Sequence, residues 1–120
     1  MAEIEDGRKF EKIALDFLKQ NNLPEAESNF IQALTHMKQS GDEEGQAYVL
    51  GNLGNLCFQS RRLDKAEEYY GKALTYMEKV NDARGIESSL GNLGSVLFYK
   101  GNLEEAEEIY KKALDIQNEK

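Results

Sequence analysis

The chain has 120 residues and a formal net charge of −7, with 31% charged and 40% hydrophobic residues. This composition is typical of a soluble globular protein and excludes an intrinsically disordered chain. No segment is strongly basic, so we expect no nucleic-acid partner. The single cysteine, Cys57, excludes an internal disulfide and fits a reducing compartment. The chain starts with acidic residues, unlike a signal peptide, and no apolar run could span a membrane, so we predict a cytoplasmic protein.

Apolar residues at spacings of three, four and seven predict a first helix over residues 3–20. This helix is expected to end at Asn21, because asparagine tolerates the left-handed conformation that closes a helix. Pro24 suits the first turn of a second helix, which runs to Ser40. Gly41 then supplies the exit from that helix, and Asp42 is predicted to cap the third one.

Three copies of one unit follow each other along the chain. The tetrapeptide Gly51–Gly54 recurs 40 residues later as Gly91–Gly94, and breaks between helices recur at Arg61-Arg62, Asn81-Asp82 and Gly101-Asn102. Self-similarity with a period of 20 to 50 residues is the signature of a solenoid. The sequence therefore predicts one all-α domain over residues 1–120, with repeats over 5–44, 45–84 and 85–120 and six antiparallel helices.

Small residues at equivalent positions indicate how the helices meet. Gly54 and Gly94 lie in the middle of the predicted third and fifth helices, where a glycine costs about 0.5–1 kcal/mol relative to alanine. We therefore expect the two helices of each repeat to approach closely there, and we expect Gly54→Leu to unfold the array. Aromatic residues of the second helices are predicted to pack against the next repeat; they are Phe30, Tyr70 and Tyr110.

The spacing of large, small and aromatic residues in each repeat resembles the tetratricopeptide repeat, over residues 7–117. In the second repeat, the residues that match the family's pattern are Leu50, Leu53, Gly54, Cys57, Ala66, Tyr70 and Ala73. The period is longer than the 34 residues usual for the family, and it is similar to that of Pins-type adaptors and kinesin light chains. The resemblance implies a right-handed α-solenoid of three helix-turn-helix repeats whose first helices line a concave groove. It also implies a non-enzymatic adaptor or scaffold that binds a peptide segment of another protein there, without a cofactor or a metal ion.

The family's pattern places residues of the second and third repeats in this groove: Tyr48, Gly51, Asn52, Asn55, Gln59, Ser88, Gly91, Asn92, Ser95 and Tyr99. In the first repeat the matching positions are Arg8, Glu11, Lys12, Leu15 and Lys19. Asparagine carries both a donor and an acceptor, so Asn52, Asn55 and Asn92 are predicted to hold the main chain of a peptide. Gly51 and Gly91 would leave room for it. The alternative for the asparagines, Asn55 above all, is that they cap or bridge neighbouring helices.

A carboxylate clamp like that of tetratricopeptide co-chaperones does not fit this sequence. The family's clamp positions hold Glu11, Leu15, Asn52, Ser88 and Asn92 here. Only Asn52 agrees with the clamp, and Glu11 would repel a carboxylate.

The remaining reactive residues are interpreted as structural. His36 is the only histidine, has no metal-ligating partner at a suitable spacing, and is expected to face solvent. Cys57 has no histidine partner and is expected to be an inert buried thiol. The acidic run Glu104–Glu108 opens a helix, where negative charge is favourable. It is expected to be a solvated face, with contact to a basic partner as the alternative.

The alternative function is structural assembly. Without a polar capping helix after the third repeat, Ile109, Tyr110, Leu114 and Ile116 are expected to meet solvent, although terminal repeats usually carry a polar outer face. Either the protein self-associates through the third repeat, or the chain is the first part of a longer array. A third possibility is an accessory domain cut from an enzyme.

Overall fold

The computed structural model describes residues 2–118, with side chains from residue 6 onwards. These residues form helices α1 (Ala2–Lys19), α2 (Leu23–Ser40), α3 (Glu43–Gln59), α4 (Leu63–Lys79), α5 (Ala83–Tyr99) and α6 (Leu103–Asn118). Each odd-numbered helix packs on the even-numbered helix that follows it, while α2 packs on α3 and α4 on α5. The predicted all-α solenoid of helical repeats is confirmed.

Every turn between helices contains one residue in the left-handed conformation. The predicted exits at Asn21, Gly41 and Asn81 are confirmed, with φ angles of 58°, 73° and 56°, and Arg61 and Gly101 adopt φ angles of 65° and 89°. The next residue then donates its backbone N–H to a carbonyl five positions back, from Asn22 to Phe17 and at the four equivalent sites. This pattern satisfies the last carbonyl groups of each helix.

Asp42, which was predicted to cap a helix, does so, and Asp82 caps α5 in the same way. Asp42 Oδ1 accepts a hydrogen bond of 2.9 Å from the backbone N–H of Gly45. Asp82 Oδ1 accepts one of 3.0 Å from the N–H of Gly85. Helices α3 and α5 therefore start at defined residues, which fixes the register of the two helices that line the predicted groove.

The close approach predicted at Gly54 and Gly94 is confirmed for the second and third repeats. A β-carbon at Gly54 would lie 2.6 Å from the ring of Tyr70, and one at Gly94 would lie 2.8 Å from the ring of Tyr110. Tyr70 also belongs to the apolar cluster that contains Val96 of α5, in line with the predicted packing on the next repeat. Its contact with Gly54, within its own repeat, is an addition to that prediction.

Glycines at the start of α3 and α5 allow neighbouring repeats to meet. A β-carbon at Gly45 would lie 2.9 Å from Met37 Sδ, and a β-carbon at Gly85 would overlap Met77 Sδ. Both methionines are buried at the end of the preceding helix. Neither glycine stands out from the sequence as a packing residue.

Burial is uneven along the array. Side chains from α1, α2 and α3 form one apolar cluster, and side chains from α3, α4 and α5 form another. On α6, by contrast, Ala106 is the one buried residue. Tyr110 and Leu114 are exposed, as predicted, whereas Ile109 and Ile116 are half-buried.

Candidate peptide-binding groove

A groove with a volume of about 340 Å³ lies between α3 and α5. Six of the predicted groove residues line it: Tyr48, Gly51, Asn52, Asn55, Ser88 and Asn92. Ala73 and Met77 of α4 form its floor, and Asp82 and Arg84 lie at the start of α5. Four other predicted residues of the second and third repeats do not line this volume: Gln59, Gly91, Ser95 and Tyr99. The five positions predicted in the first repeat do not line it either: Arg8, Glu11, Lys12, Leu15 and Lys19.

Asn52 and Asn92 occupy equivalent positions on the two walls and are half-buried. Within residues 6–118, no hydrogen bond involves either side-chain amide. Each amide therefore keeps two donors and one acceptor available for a ligand. The alternative considered from the sequence, that these asparagines bridge or cap helices, does not describe them.

The glycines that precede these asparagines are not required by packing. A β-carbon at Gly51 or Gly91 would meet nothing within 4 Å, in contrast to one at Gly54 or Gly94. A glycine inside a helix still costs about 0.5–1 kcal/mol relative to alanine. The glycine of each Gly-Asn pair thus lowers the stability of its helix, and no packing contact within the fold explains its presence.

Asn55 has a structural partner, as its alternative interpretation proposed. Its Oδ1 accepts a short hydrogen bond from the hydroxyl of Tyr70 on α4. Ser95 occupies the equivalent place in the third repeat and lies 3.0 Å from the hydroxyl of Tyr110. The pair at this spacing in the first repeat is Leu15 and Phe30. The sequence therefore contains a signal for this contact. The residue 15 positions before each tyrosine is polar, whereas the residue 15 positions before the phenylalanine is apolar.

One rim of the groove is held by a contact to the cap of the next repeat. The hydroxyl of Tyr48 donates to Asp82 Oδ2 at 3.1 Å, and this hydrogen bond raises the pKa of Tyr48. The equivalent contact one repeat earlier is the ion pair of Arg8 with Asp42, at 3.4 Å. Nearby, burial raises the pKa of Glu11, although the positive charge of Arg8 opposes this.

Aromatic side chains lie beyond the other end of the groove. Tyr99 is 60% exposed, and its ring centroid lies 5.4 Å from that of Phe58 and 5.7 Å from that of Phe98. Gln59 is exposed at the last position of α3. These side chains are accessible from solvent, but they stand apart from Asn52 and Asn92.

The predictions for the two reactive residues outside the groove, Cys57 and His36, differ in how well they agree with the structure. Cys57 is fully buried, as predicted, and burial raises the pKa of its thiol. The prediction that His36 faces solvent is wrong. Its ring is half-buried and stacks on Phe10 of α1, with a centroid distance of 5.2 Å and an interplanar angle of 17°.

Two family models, both described as Tetratricopeptide repeat, match this sequence. The first matches residues 7–79 and the second matches residues 87–120. The chain belongs to the tetratricopeptide repeat family. Among curated proteins, no sequence matches at a significant level.

Solved tetratricopeptide structures share this fold. BtubC (BKLC) from P. vanneervenii superposes with a TM-score of 0.88 at 23% identity, over 93% of this chain and 46% of that one, so the chain spans about half its length. The TPR domain of Arabidopsis FLU gives 0.89 at 18% identity, over 98% and 99% of the two chains. The N-terminal domain of STI-1 from C. elegans gives 0.85 at 13%, over 97% and 87%. At these identities the likeness concerns the fold alone.

Among residues 6–118, no three His, Cys, Asp or Glu side chains are placed together to hold a metal ion. None of the helices described is long and apolar enough to cross a membrane.

Proposed function

We propose that this chain is a non-enzymatic adaptor of the cytoplasm that holds an extended peptide segment of another protein in the groove between α3 and α5. Tetratricopeptide domains are in general protein–protein interaction modules. A buried, unpaired Cys57 is consistent with the reducing compartment that this role assumes.

One observation carries the proposal: the repeated Gly-Asn pair at 51–52 and 91–92. Both asparagine amides are unpaired within the part of the chain described by the structure, and both glycines leave open space beside them. A peptide main chain offers alternating N–H and C=O groups, which an amide side chain can bind with its donor and acceptor together. The missing β-carbon of Gly51, which lines the groove, would let that main chain come close to α3.

The test compares variants in affinity capture from lysate of the native host, with binding of the captured partner then measured by calorimetry. Each neutral hydrogen bond contributes about 0.5–1.5 kcal/mol net, so Asn52→Ala/Asn92→Ala, which removes two hydrogen bonds per asparagine, should weaken binding by about 2–6 kcal/mol. The matched control is Gln32→Ala/Gln39→Ala, which removes two exposed amides from α2, outside the groove. Circular dichroism checks that all variants are folded.

The two sets of variants give opposite results if the groove is the binding site. The proposed adaptor function is supported if the glutamine variant captures the partner and the asparagine variant does not. Equal capture by parent and asparagine variant would contradict it, and would place binding on the convex or terminal surface.

A second candidate function is structural assembly through the exposed side of α6. It is favoured by three apolar side chains that lie in solvent, with exposures of 58% for Leu103, 41% for Tyr110 and 55% for Leu114. Self-association is one form of this assembly. Light scattering over a range of concentrations tests self-association, because a constant monomer mass would exclude it.

A further inference from the structure

Arg84 brings a positive charge to the wall of the groove. It is exposed and lines the groove volume, where Asp82 is the other charged residue of the lining. In the part of the chain whose side chains the structure describes, no hydrogen bond or ion pair involves the guanidinium group of Arg84. Its N–H donors are therefore available to a ligand in the groove.

Asp82 lies two positions before Arg84 but does not pair with it. Its Oδ1 accepts a hydrogen bond of 3.0 Å from the backbone N–H of Gly85. Its Oδ2 accepts one of 3.1 Å from the hydroxyl of Tyr48. Both carboxylate oxygens are thus engaged by the start of α5 and by the rim of the groove, and the positive charge of Arg84 faces the open volume.

The place of Arg84 on α5 is unfavourable for a cation. Helix α5 begins at Ala83, so Arg84 lies in its first turn, where the helix dipole favours negative charge and disfavours positive charge. The equivalent residue on α3 is Glu44, which has the favourable sign. Arg84 therefore contributes neither an ion pair nor a favourable dipole interaction to the fold, and its presence calls for a role in binding.

The polar residues of α5 that line the groove follow Arg84 along one face of the helix. Ser88 and Asn92 lie four and eight residues after it, and residues at this spacing lie one above another. At 1.5 Å per residue, Arg84 and Asn92 are separated by about 12 Å along the helix. A peptide whose main chain is held at Asn92 can direct a long side chain back along this face, towards the guanidinium group.

We propose that the peptide segment bound in the groove carries an aspartate or glutamate side chain that pairs with Arg84, and that Arg84 sets this preference. The inference rests on the proposed adaptor function and adds the chemistry of the partner. Guanidinium and carboxylate groups match each other as a charge-assisted, bidentate pair. Glu44 would repel an acidic side chain near the start of α3, so the acidic residue lies on the α5 side of the groove.

The probe is a set of heptapeptide pools with acetylated and amidated ends. Their central residue is glutamate, glutamine or lysine, and the other positions are mixtures of alanine, serine, threonine and valine. One further pool has glutamine at its centre and a free C-terminal carboxylate, which separates a chain end from an acidic side chain. Each pool is titrated into the isotope-labelled whole chain. NMR then follows the side-chain amides of Asn52 and Asn92 and the Nε–H of Arg84, which reveals complexes with dissociation constants of about 1 mM.

The variant that tests the pairing is Arg84→Glu, and its matched control is Lys38→Glu. Lys38 is an exposed lysine of α2, does not line the groove and has no ion pair with another described residue. The two variants change the net charge equally. Glutamate already occupies the equivalent positions of another repeat, Glu44 for Arg84 and Glu78 for Lys38, so both should fold. Arg84→Glu should melt no lower than the parent, because its charge suits the first turn of a helix.

The parent should bind the glutamate pool about two- to five-fold more tightly than the glutamine pool, as expected of an exposed ion pair. Arg84→Glu should reverse the order and bind the lysine pool most tightly, whereas Lys38→Glu should keep the order of the parent. Higher salt should reduce the preference in both cases. Asn52→Ala/Asn92→Ala should weaken the binding of every pool. Arg84 thus decides which pool binds best, while the asparagines decide how tightly all of them bind.

Equal binding of the glutamate and glutamine pools, with both weakened by the asparagine variant, would overturn the role of Arg84 and leave the groove as the peptide site. A preference for glutamate that Arg84→Glu leaves intact, or that Lys38→Glu removes to the same extent, would also overturn it. So would tighter binding of the pool with the free carboxylate than of the glutamate pool, because Arg84 would then recognise a chain end. No binding of any pool at about 1 mM would overturn the proposed adaptor function together with this inference.

Discussion

The ring of Tyr70 lies against the backbone of Gly54, and its hydroxyl donates to the side chain of the very next residue, Asn55. One tyrosine therefore sets the distance between α3 and α4 and satisfies a polar group beside the groove. The third repeat contains the same arrangement, with Tyr110 in contact with Gly94 and Ser95. Because the glycine and the polar residue are adjacent, the close packing of the core fixes the wall of the groove.

The two kinds of helical glycine should respond oppositely to alanine. Gly54→Ala introduces a β-carbon 2.6 Å from a ring that is only 2% exposed, and such overpacking costs about 1–3 kcal/mol. Gly51→Ala meets nothing and should raise the free energy of unfolding by about 0.5–1 kcal/mol. Urea unfolding measures both. Equal shifts for the two variants would contradict the packing described for Gly54.

Alkaline pH should destabilise the fold partly through Tyr70. Burial raises the pKa of Tyr70 to about 12, against about 10 for an unfolded tyrosine. The unfolded chain therefore loses this proton first, so the contribution of Tyr70 is complete below pH of about 10 and is lost as the pH rises towards 12.

The variant that tests this titration is Tyr70→Phe. It should lose about 0.5–1.5 kcal/mol near neutral pH, because the hydrogen bond to Asn55 is gone. Its stability should then fall less steeply than that of the parent between pH values of about 9 and 11. Urea unfolding of both proteins at the two pH values measures this difference. An equal loss of unfolding free energy in the parent and in Tyr70→Phe would contradict the titration of Tyr70.

The aspartates that cap helices should contribute more to the free energy of unfolding than residues that precede other helices without a side-chain hydrogen bond. Asp82 accepts from the N–H of Gly85, whereas Asn22 starts α2 without a side-chain hydrogen bond to the helix. Asp82→Ala should lower the free energy of unfolding by about 0.5–2 kcal/mol, and Asn22→Ala should have little effect. Tyr48→Phe removes only the other bond of Asp82 and separates the two contributions. Similar melting temperatures for Asp82→Ala and Asn22→Ala would refute this ranking.

The thiol of Cys57 should be protected from reagents in the folded chain. It is fully buried, and burial raises its pKa, so little thiolate forms at pH of about 8. A disulfide reagent should therefore react only at the rate at which the chain opens, and urea should accelerate it. The control is Ser88→Cys, which adds an exposed thiol in the groove that reacts at once. Fast modification of Cys57 in the parent would mean that the second core cluster opens readily.

Much of the fold could be predicted from the repeat itself. Asn21, Gly41 and Asn81 are residue types that tolerate left-handed geometry, and each preceded a residue able to start a helix. Arg61 was harder, because nothing in the chemistry of arginine favours a positive φ angle. Its conformation follows from the common turn geometry of the array, which also places Gly101 at the equivalent site.

The pairs of residues that meet across helices were less accessible from the sequence. Helical spacing identifies a face, but it does not identify which side chain of another helix lies against that face. For this reason the stacking of His36 on Phe10 was missed, and solvent exposure was predicted instead. The partner of Asn55 also remained open, although the matched changes at positions 15 and 30, 55 and 70, and 95 and 110 point to it.

Helix α5 takes part in both candidate binding surfaces. Ser88 and Asn92 line the groove from one side of this helix, while Gly94 on another side packs against Tyr110 of α6. A helix with an uncovered apolar side opens more readily than one packed on both sides. An occupant of α6 would hold α6 in place, stiffen α5 and so prepare the groove for its peptide. The two ligands would then bind with positive cooperativity, and each would raise the affinity for the other by the same factor.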